Sequence, residues 1–157
     1  MTNDALRASP TLYDFLRGRE LFRSRVYQDL GKGHGTWTIG YGHTAGVSAH
    51  SGPISLAQAE AFLHADVAIY EAVVRKVQRP LNQQQYDALI SFTFNVGVNG
   101  FATSTLLRLL NAGDYAGAAS QMPRWVQSDG KVVAELIRRR AVERAWFEGH
   151  VPVPVHA

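Results

Sequence analysis

The chain has no cysteine. That excludes a disulfide framework and a thiolate zinc site, and it neither requires nor forbids an oxidising compartment. Also missing is any run of about 18 uncharged apolar residues, so no transmembrane helix and no stable membrane insertion are expected. The opening "MTNDALRASPTLYDFLRGRE" lacks a basic segment followed by an apolar one, so a signal peptide is not expected either. The expectation is a protein made soluble in a cytoplasm, for which any later export needs help. A strong charge bias is absent too: 16 Lys and Arg against 13 Asp and Glu give a formal charge of +3. That excess favours anionic partners in general, whether nucleic acid, anionic lipid or an acidic wall polymer, and selects none of them.

What is present is enough chain, 157 residues, for one domain with its own hydrophobic core. Leu12, Phe15 and Leu16 are spaced for one face of a short helix from Pro10 to Gly18, which leaves Glu20 in its last turn or just past it. Val26, Tyr27, Trp37, Thr38, Ile39 and Tyr41 are strand formers punctuated by glycines, which predicts a small antiparallel sheet with glycine-rich turns. After Gly52 and Pro53 the period changes. Leu56, Ala59, Leu63, Val67, Tyr70, Val74 and Val77 recur at steps of three and four, predicting a long helix to about Arg79, started by a Ser55–Gln58 capping box.

Pro80 ends that helix, and Asn82 with Gln85 opens another through Phe94, with Gly97 as its C-cap. Two short helices are expected at 104–113 and 114–122, and a last one at about 131–147 whose packed face is Val133, Ile137, Ala141 and Ala145. Trp125, Trp146 and Phe147 read as core anchors. The tail "HVPVPVHA" is expected to be extended or disordered. The sum is a single α+β domain: a β-rich lobe at about 20–50, a helical lobe at about 55–148, a tail at 149–157, and a cleft between the lobes.

Cleaving a glycosidic bond requires a proton for the leaving oxygen and help for an oxocarbenium-like centre, which two carboxyl groups supply. Glu20, at a helix end, and Asp29, in the first hairpin, are candidates to face each other across the cleft. The acid has to hold its proton near neutral pH, which burial or a nearby negative charge favours. Asp29, on a more polar loop, is the better candidate to stay ionised. Thr38 adds a hydroxyl that could hold a water for attack with Asp29 as base. Gly40 and Gly42 leave room where a polymer approaches the backbone. Against this, two acids nine residues apart are common in any protein, and hairpin glycines usually serve turns.

Those residues resemble a known family. Glu20, then "VYQD" ending at Asp29, then "TWTIGYGHT" from Thr36 are similar to the motif of the phage-type, T4-lysozyme-like endolysins of glycoside hydrolase family 24. Three later segments resemble such endolysins in the same order: residues 81–115, Arg124 with Trp125, and "LIRRRAVERAWF" at 136–147. The likeness spans roughly residues 12–148. It implies a lysozyme-like fold and a muramidase in which Glu20 is the proton donor while Asp29 and Thr38 manage the water. The inverting outcome of the family implies carboxyl groups about 6.5–9.5 Å apart.

With the family pattern come Thr44, Phe94 and Ser104 as contacts for the sugar polymer, although helix-core packing for Phe94 and helix capping for Ser104 remain equal alternatives. Two departures stand out. Leu21 follows Glu20 where many relatives have glycine, so its backbone is expected to avoid a glycine-only conformation. The "LGKGHG" loop at 30–35 is about three residues longer than usual.

The resemblance implies no cofactor and no metal. His34, His43 and His50 lack His-Glu-x-x-His spacing, and His43 is expected to hydrogen-bond near the catalytic turn. In Arg138-Arg139-Arg140, with Glu135 and Glu143 at helical pairing distance from Arg139, we expect a mostly solvated helix face, with one arginine, Arg140 as the candidate, turned toward Glu20. The implied partner is bacterial peptidoglycan, cut between N-acetylmuramic acid and N-acetylglucosamine, by a monomer that waits in the host cytoplasm until a holin lets it reach the wall. Nucleic acid is expected to bind only weakly and nonspecifically. The alternatives are a lytic transglycosylase, which closes an anhydro ring without water, and a non-catalytic peptidoglycan-binding protein.

Overall fold

A computed structural model describes residues 2–29 and 36–153. The first helix, α1 (Pro10–Glu20), starts where Ser9 accepts a hydrogen bond from the Leu12 N–H and proline occupies the first turn. Leu12 and Leu16 are its buried face. The helix passes Gly18 and ends on Glu20, closed by the Leu21 N–H donating to the Arg17 carbonyl. Leu21 corrects the sequence expectation: it has φ 50°, ψ 141°, a conformation that favours glycine, and its side chain is 57% exposed. The turn off α1 demands this backbone, and solvent leaves room for the side chain.

A hairpin follows. Strand β1 (Arg23–Asp29) runs antiparallel to β2 (Thr36–Gly40), pairing Asp29 with Thr36, Gln28 with Trp37 and Tyr27 with Thr38 before a bulge shifts the register toward Arg23. The 30–35 connection, where the longer loop was expected, lies outside the described residues. Beyond β2 the chain folds back at once, Ile39 and His43 exchanging both backbone hydrogen bonds at 2.9 Å around Gly40 and Gly42. Gly40 has φ 65°, and a Cβ there would lie 3.2 Å from Ile54 Cδ1 and 3.3 Å from Ala59 Cβ. The space beside Gly40 is therefore filled by packing onto the helical lobe, which gives this glycine a structural reason independent of any polymer.

The long helix α2 (Leu56–Val74) carries the full Ser55–Gln58 capping box. It stops five residues short of the expected Arg79. The buried Asn3 side chain donates to the carbonyls of Val77 and Arg79 and accepts from the Leu81 N–H, so a residue far away in sequence takes up the backbone that would have continued the helix. Helix α3 (Gln83–Val96) opens on the Asn82–Gln85 box and is capped by Gly97 at φ 92°. Every residue from Tyr86 to Phe94 is buried, so α3 is the central helix around which the others pack.

A short α4 (Val98–Ala102), α5 (Thr105–Asn111) and α6 (Tyr115–Gln121) cover one side of it, the last two capped by Ser104 and Asp114. After a 3-10 turn at Met122–Arg124, a small hairpin of β3 (Gln127–Ser128) and β4 (Lys131–Val132) turns on Asp129 and Gly130, both at positive φ.

The last helix, α7 (Ala134–Phe147), packs a different face from the one expected. Ile137 is 49% exposed and Ala141 is exposed; the buried residues are Leu136, Arg139, Arg140, Glu143, Trp146 and Phe147. Periodicity counted only apolar side chains, whereas this face buries charges that satisfy one another. Trp146 and Phe147 are buried as expected, and Trp125 packs edge-on against Phe92.

Candidate active site

Glu20 ends α1 with its side chain only 7% exposed. Arg139 Nη1, reaching across from α7, donates to Glu20 Oε1 at 3.2 Å. The arginine that meets Glu20 is thus Arg139, not Arg140. Arg140 points into the helical lobe, where it donates to Asn95 Oδ1 at 2.7 Å and to the Trp125 carbonyl and lies over the Phe92 ring.

Arg139 and Arg140 share a fully buried carboxylate, Glu143. Its Oε2 lies 3.1 Å from Arg139 Nε, and its Oε1 lies 2.7 Å from Arg140 Nε, an ion pair not aligned as a hydrogen bond. For Arg139, burial pulls the pKa down, but the attractions of Glu143 and Glu20 outweigh it and the group ends above its ordinary value. For Arg140, burial and then the neighbouring Arg139 outweigh Glu143, and it ends below. Only the exposed Arg138, paired with Glu135, fits the solvated face foreseen for the triplet.

The hairpin presents the other side of the site. Directly paired residues share a face, and that face alternates along each strand, so Tyr27, Asp29, Thr36 and Thr38 project together. Asp29 is diagonal to Thr38 across the ladder. Thr38 is fully buried, and its hydroxyl donates to the Thr36 carbonyl at 3.0 Å. Tyr27 ties the two sides together. Its phenol is pushed up to about 12 by burial first and then by the negative charges of Asp29 and Glu20, with Arg23 opposing. From α2, Tyr70 is raised by burial and by Asp66 and Glu20. Both phenols stay neutral at ordinary pH, so charge around Glu20 is set by the carboxylates and arginines.

The remaining expected residues sit as follows. His43 is buried, stacked flat on Phe62, with Nδ1 2.8 Å from Asp66 Oδ2, which anchors the glycine turn to α2. Thr44 follows it, half-buried, in a turn where its carbonyl accepts the Val47 N–H. Phe94 is buried, its ring tilted against Tyr70 at 5.4 Å. Ser104 caps α5: it accepts from the Leu107 N–H and donates to the Phe101 carbonyl. Among the described residues no three His, Cys, Asp or Glu side chains cluster as a metal site; His34 lies outside them.

Sequence reasoning missed Glu143, Ser91, Tyr27 and Tyr70. The signal for Glu143 was its helical spacing from Arg139, read as a solvated pair because charges four residues apart most often are.

Comparison with known proteins shows the family of the chain. The family model for phage lysozyme matches residues 17–143. An endolysin from Acyrthosiphon pisum secondary endosymbiont phage 1 is 44% identical over 119 residues, covering 73% of this chain and 81% of that one. Among solved structures, the muramidase domain of SpmX from Asticaccaulis excentricus aligns over 90% of this chain and 97% of that one, with 35% identity and a TM-score of 0.78. The endolysin of Escherichia coli O157:H7 phage FAHEc1 aligns over 96% and 99%, with 30% identity and a TM-score of 0.80. The chain belongs to the phage lysozyme family, and it is a lysozyme-fold glycoside hydrolase that cleaves bacterial peptidoglycan.

Proposed function

We propose that the enzyme hydrolyses the β-1,4 bond between N-acetylmuramic acid and N-acetylglucosamine with Glu20 as proton donor and with Asp29 and Thr38 handling the water. The observation that carries this reading is a pair of carboxylates, one buried and held against Arg139 at a helix end and the other on the hairpin face with Thr38. Glu20 gives its proton to the leaving glycosidic oxygen as the bond to the anomeric carbon breaks. A water oxygen attacks that carbon, and its proton passes to Asp29. Because the Thr38 proton is committed to the Thr36 carbonyl, its oxygen acts as an acceptor toward the water's second hydrogen, which aims the water's lone pair.

Thr44, Phe94 and Ser104 are proposed along the polymer's path, Phe94 acting through the Tyr70 ring it packs against. The enzyme works as a monomer without cofactor, waits in the host cytoplasm and reaches the wall through a holin lesion; the endolysin relatives support its action on the wall.

The test is turbidity clearing of outer-membrane-permeabilised Gram-negative cells by wild type, Glu20→Gln and Asp29→Asn, each checked by thermal melt. Glu20→Gln is expected to melt as wild type does and to lose activity about 10²–10⁴-fold. A folded Glu20→Gln that clears at the wild-type rate refutes the assignment. Products with reducing muramic ends are expected; anhydro ends alone identify a transglycosylase.

A further inference from the structure

Arg139 meets three partners with three nitrogens: Nε donates to Glu143, Nη2 donates to the Ser91 carbonyl at 3.2 Å, and Nη1 donates to Glu20. Two contacts pin the guanidinium from behind, and the third is presented to the site. Glu143 is itself pinned, because Ser91 Oγ donates to its Oε2 at 2.6 Å and Arg140 lies against Oε1. Glu143 is fully buried among Arg139, Arg140 and Ser91, so it reaches Glu20 through Arg139.

The charges pose a chemical problem. An acid that must arrive protonated stands against a guanidinium, and a second guanidinium lies next along the helix. Both cations favour the ionised form of a neighbouring carboxylate. Among the described residues, the groups that act on Glu20 include Arg139 from α7, Tyr27 with Asp29 from β1, and Tyr70 from α2; those facing Glu143 are Arg139 and Arg140 from its own helix and Ser91 from α3. Glu143 is the buried anion placed between the two cations.

We propose that Glu143 is a positioning residue for the reaction: it fixes Arg139 against Glu20 and offsets the arginine charge, so that Glu20 keeps the proton it has to donate. This rests on the reading of Glu20 as proton donor.

The experiment is the pH dependence of kcat and KM on purified peptidoglycan for wild type, Glu143→Gln, Glu143→Asp and Arg140→Gln, with a thermal melt of each and Glu20→Gln as control. In Glu143→Gln the alkaline limb of kcat moves to lower pH by about one unit or more, with KM unchanged. Glu143→Asp, which keeps the charge, returns the limb toward wild type. Arg140→Gln, which removes the competing cation, moves it to higher pH. A folded Glu143→Gln whose limb coincides with wild type overturns the proposal.

Should Glu143→Gln fail to fold, Arg140→Gln decides, a limb unmoved or moved down overturning it. If neither folds, the wild-type profile decides: an alkaline limb below the ordinary carboxylate range means Arg139 is not offset, and the proposal falls. An active Glu20→Gln retires the donor assignment itself, whereas an inactive one beside unmoved limbs overturns the role of Glu143 alone.

Discussion

The two carboxylates of the site are supported in opposite ways. Glu20 is backed by Arg139, 119 residues later in the chain, and through it by a buried cluster that joins α3 to α7. Asp29 sits on a short hairpin whose first three residues are exposed, and strand register sets it diagonal to Thr38. One side is held by charges that water cannot reach, the other by backbone geometry. The difference suits the tasks: an acid has to be shielded to keep a proton, while a base that takes one from water has to stay wet.

The sharpest way to break the comparison is to empty the buried side. Glu143→Leu strands two guanidiniums without their carboxylate, and a buried pair broken in this way costs about 3–5 kcal/mol. In a protein of this size that lowers Tm by roughly 6–20 °C. A loss below about 1 kcal/mol would mean that packing rather than charge holds α7 to α3.

On the hairpin side the largest stability effect belongs to the turn. Gly40→Ala places a Cβ at a positive φ and crowds Ile54 and Ala59, at an expected cost of about 1–2 kcal/mol. Hydrogen exchange at the Ile39 and His43 amides, which bond each other's carbonyls, should report the same loosening. Unchanged exchange there would show that the turn does not depend on the glycine.

Leu21 tests the junction between the two supports. Its glycine-like backbone stores about 1–3 kcal/mol of strain, part of which the freer unfolded chain of a glycine variant returns. Leu21→Gly is therefore expected to raise stability by about 1 kcal/mol. A lower Tm would show that the exposed leucine side chain contributes more than its backbone costs.

The smallest effect is at the surface. Arg17 holds Glu60 through two hydrogen bonds, and that contact, ahead of its charge, draws the Glu60 carboxyl below its ordinary value of 4.5. A depressed carboxyl contributes stability that is fully present above the unfolded value and disappears as pH falls through the folded one. With the pair partly exposed, Glu60→Gln should cost about 0.5 kcal/mol at pH 7 and nothing near pH 2. An equal loss at both values would rule out the ion pair as its source.

Much of this was legible in the chain. The boxes at Ser55 and Asn82 and the caps at Ser104 and Asp114 are local chemistry, in which a side chain and the N–H it serves lie within three residues, and Pro10 marked the start of α1. The Asp129-Gly130 hairpin carried an equally local signal, overlooked in favour of a helix beginning at Lys131. The α2 terminus was not legible, because the groups that end it belong to Asn3. Nor was the choice between Arg139 and Arg140, since neighbours on a helix point about 100° apart and only the packing partner decides which faces Glu20.

By itself, then, the sequence determined what depends on short separations: the starts of the helices that a side chain caps, the glycine turn after β2, and the order Glu20, Asp29, Thr38 with its likeness to a family of wall-cleaving enzymes. Tertiary structure decided which charges are buried and whom they meet. A buried charge is stable only beside its counter-charge. For Arg139 those counter-charges are Glu143, one helical turn away, and Glu20, at the other end of the chain.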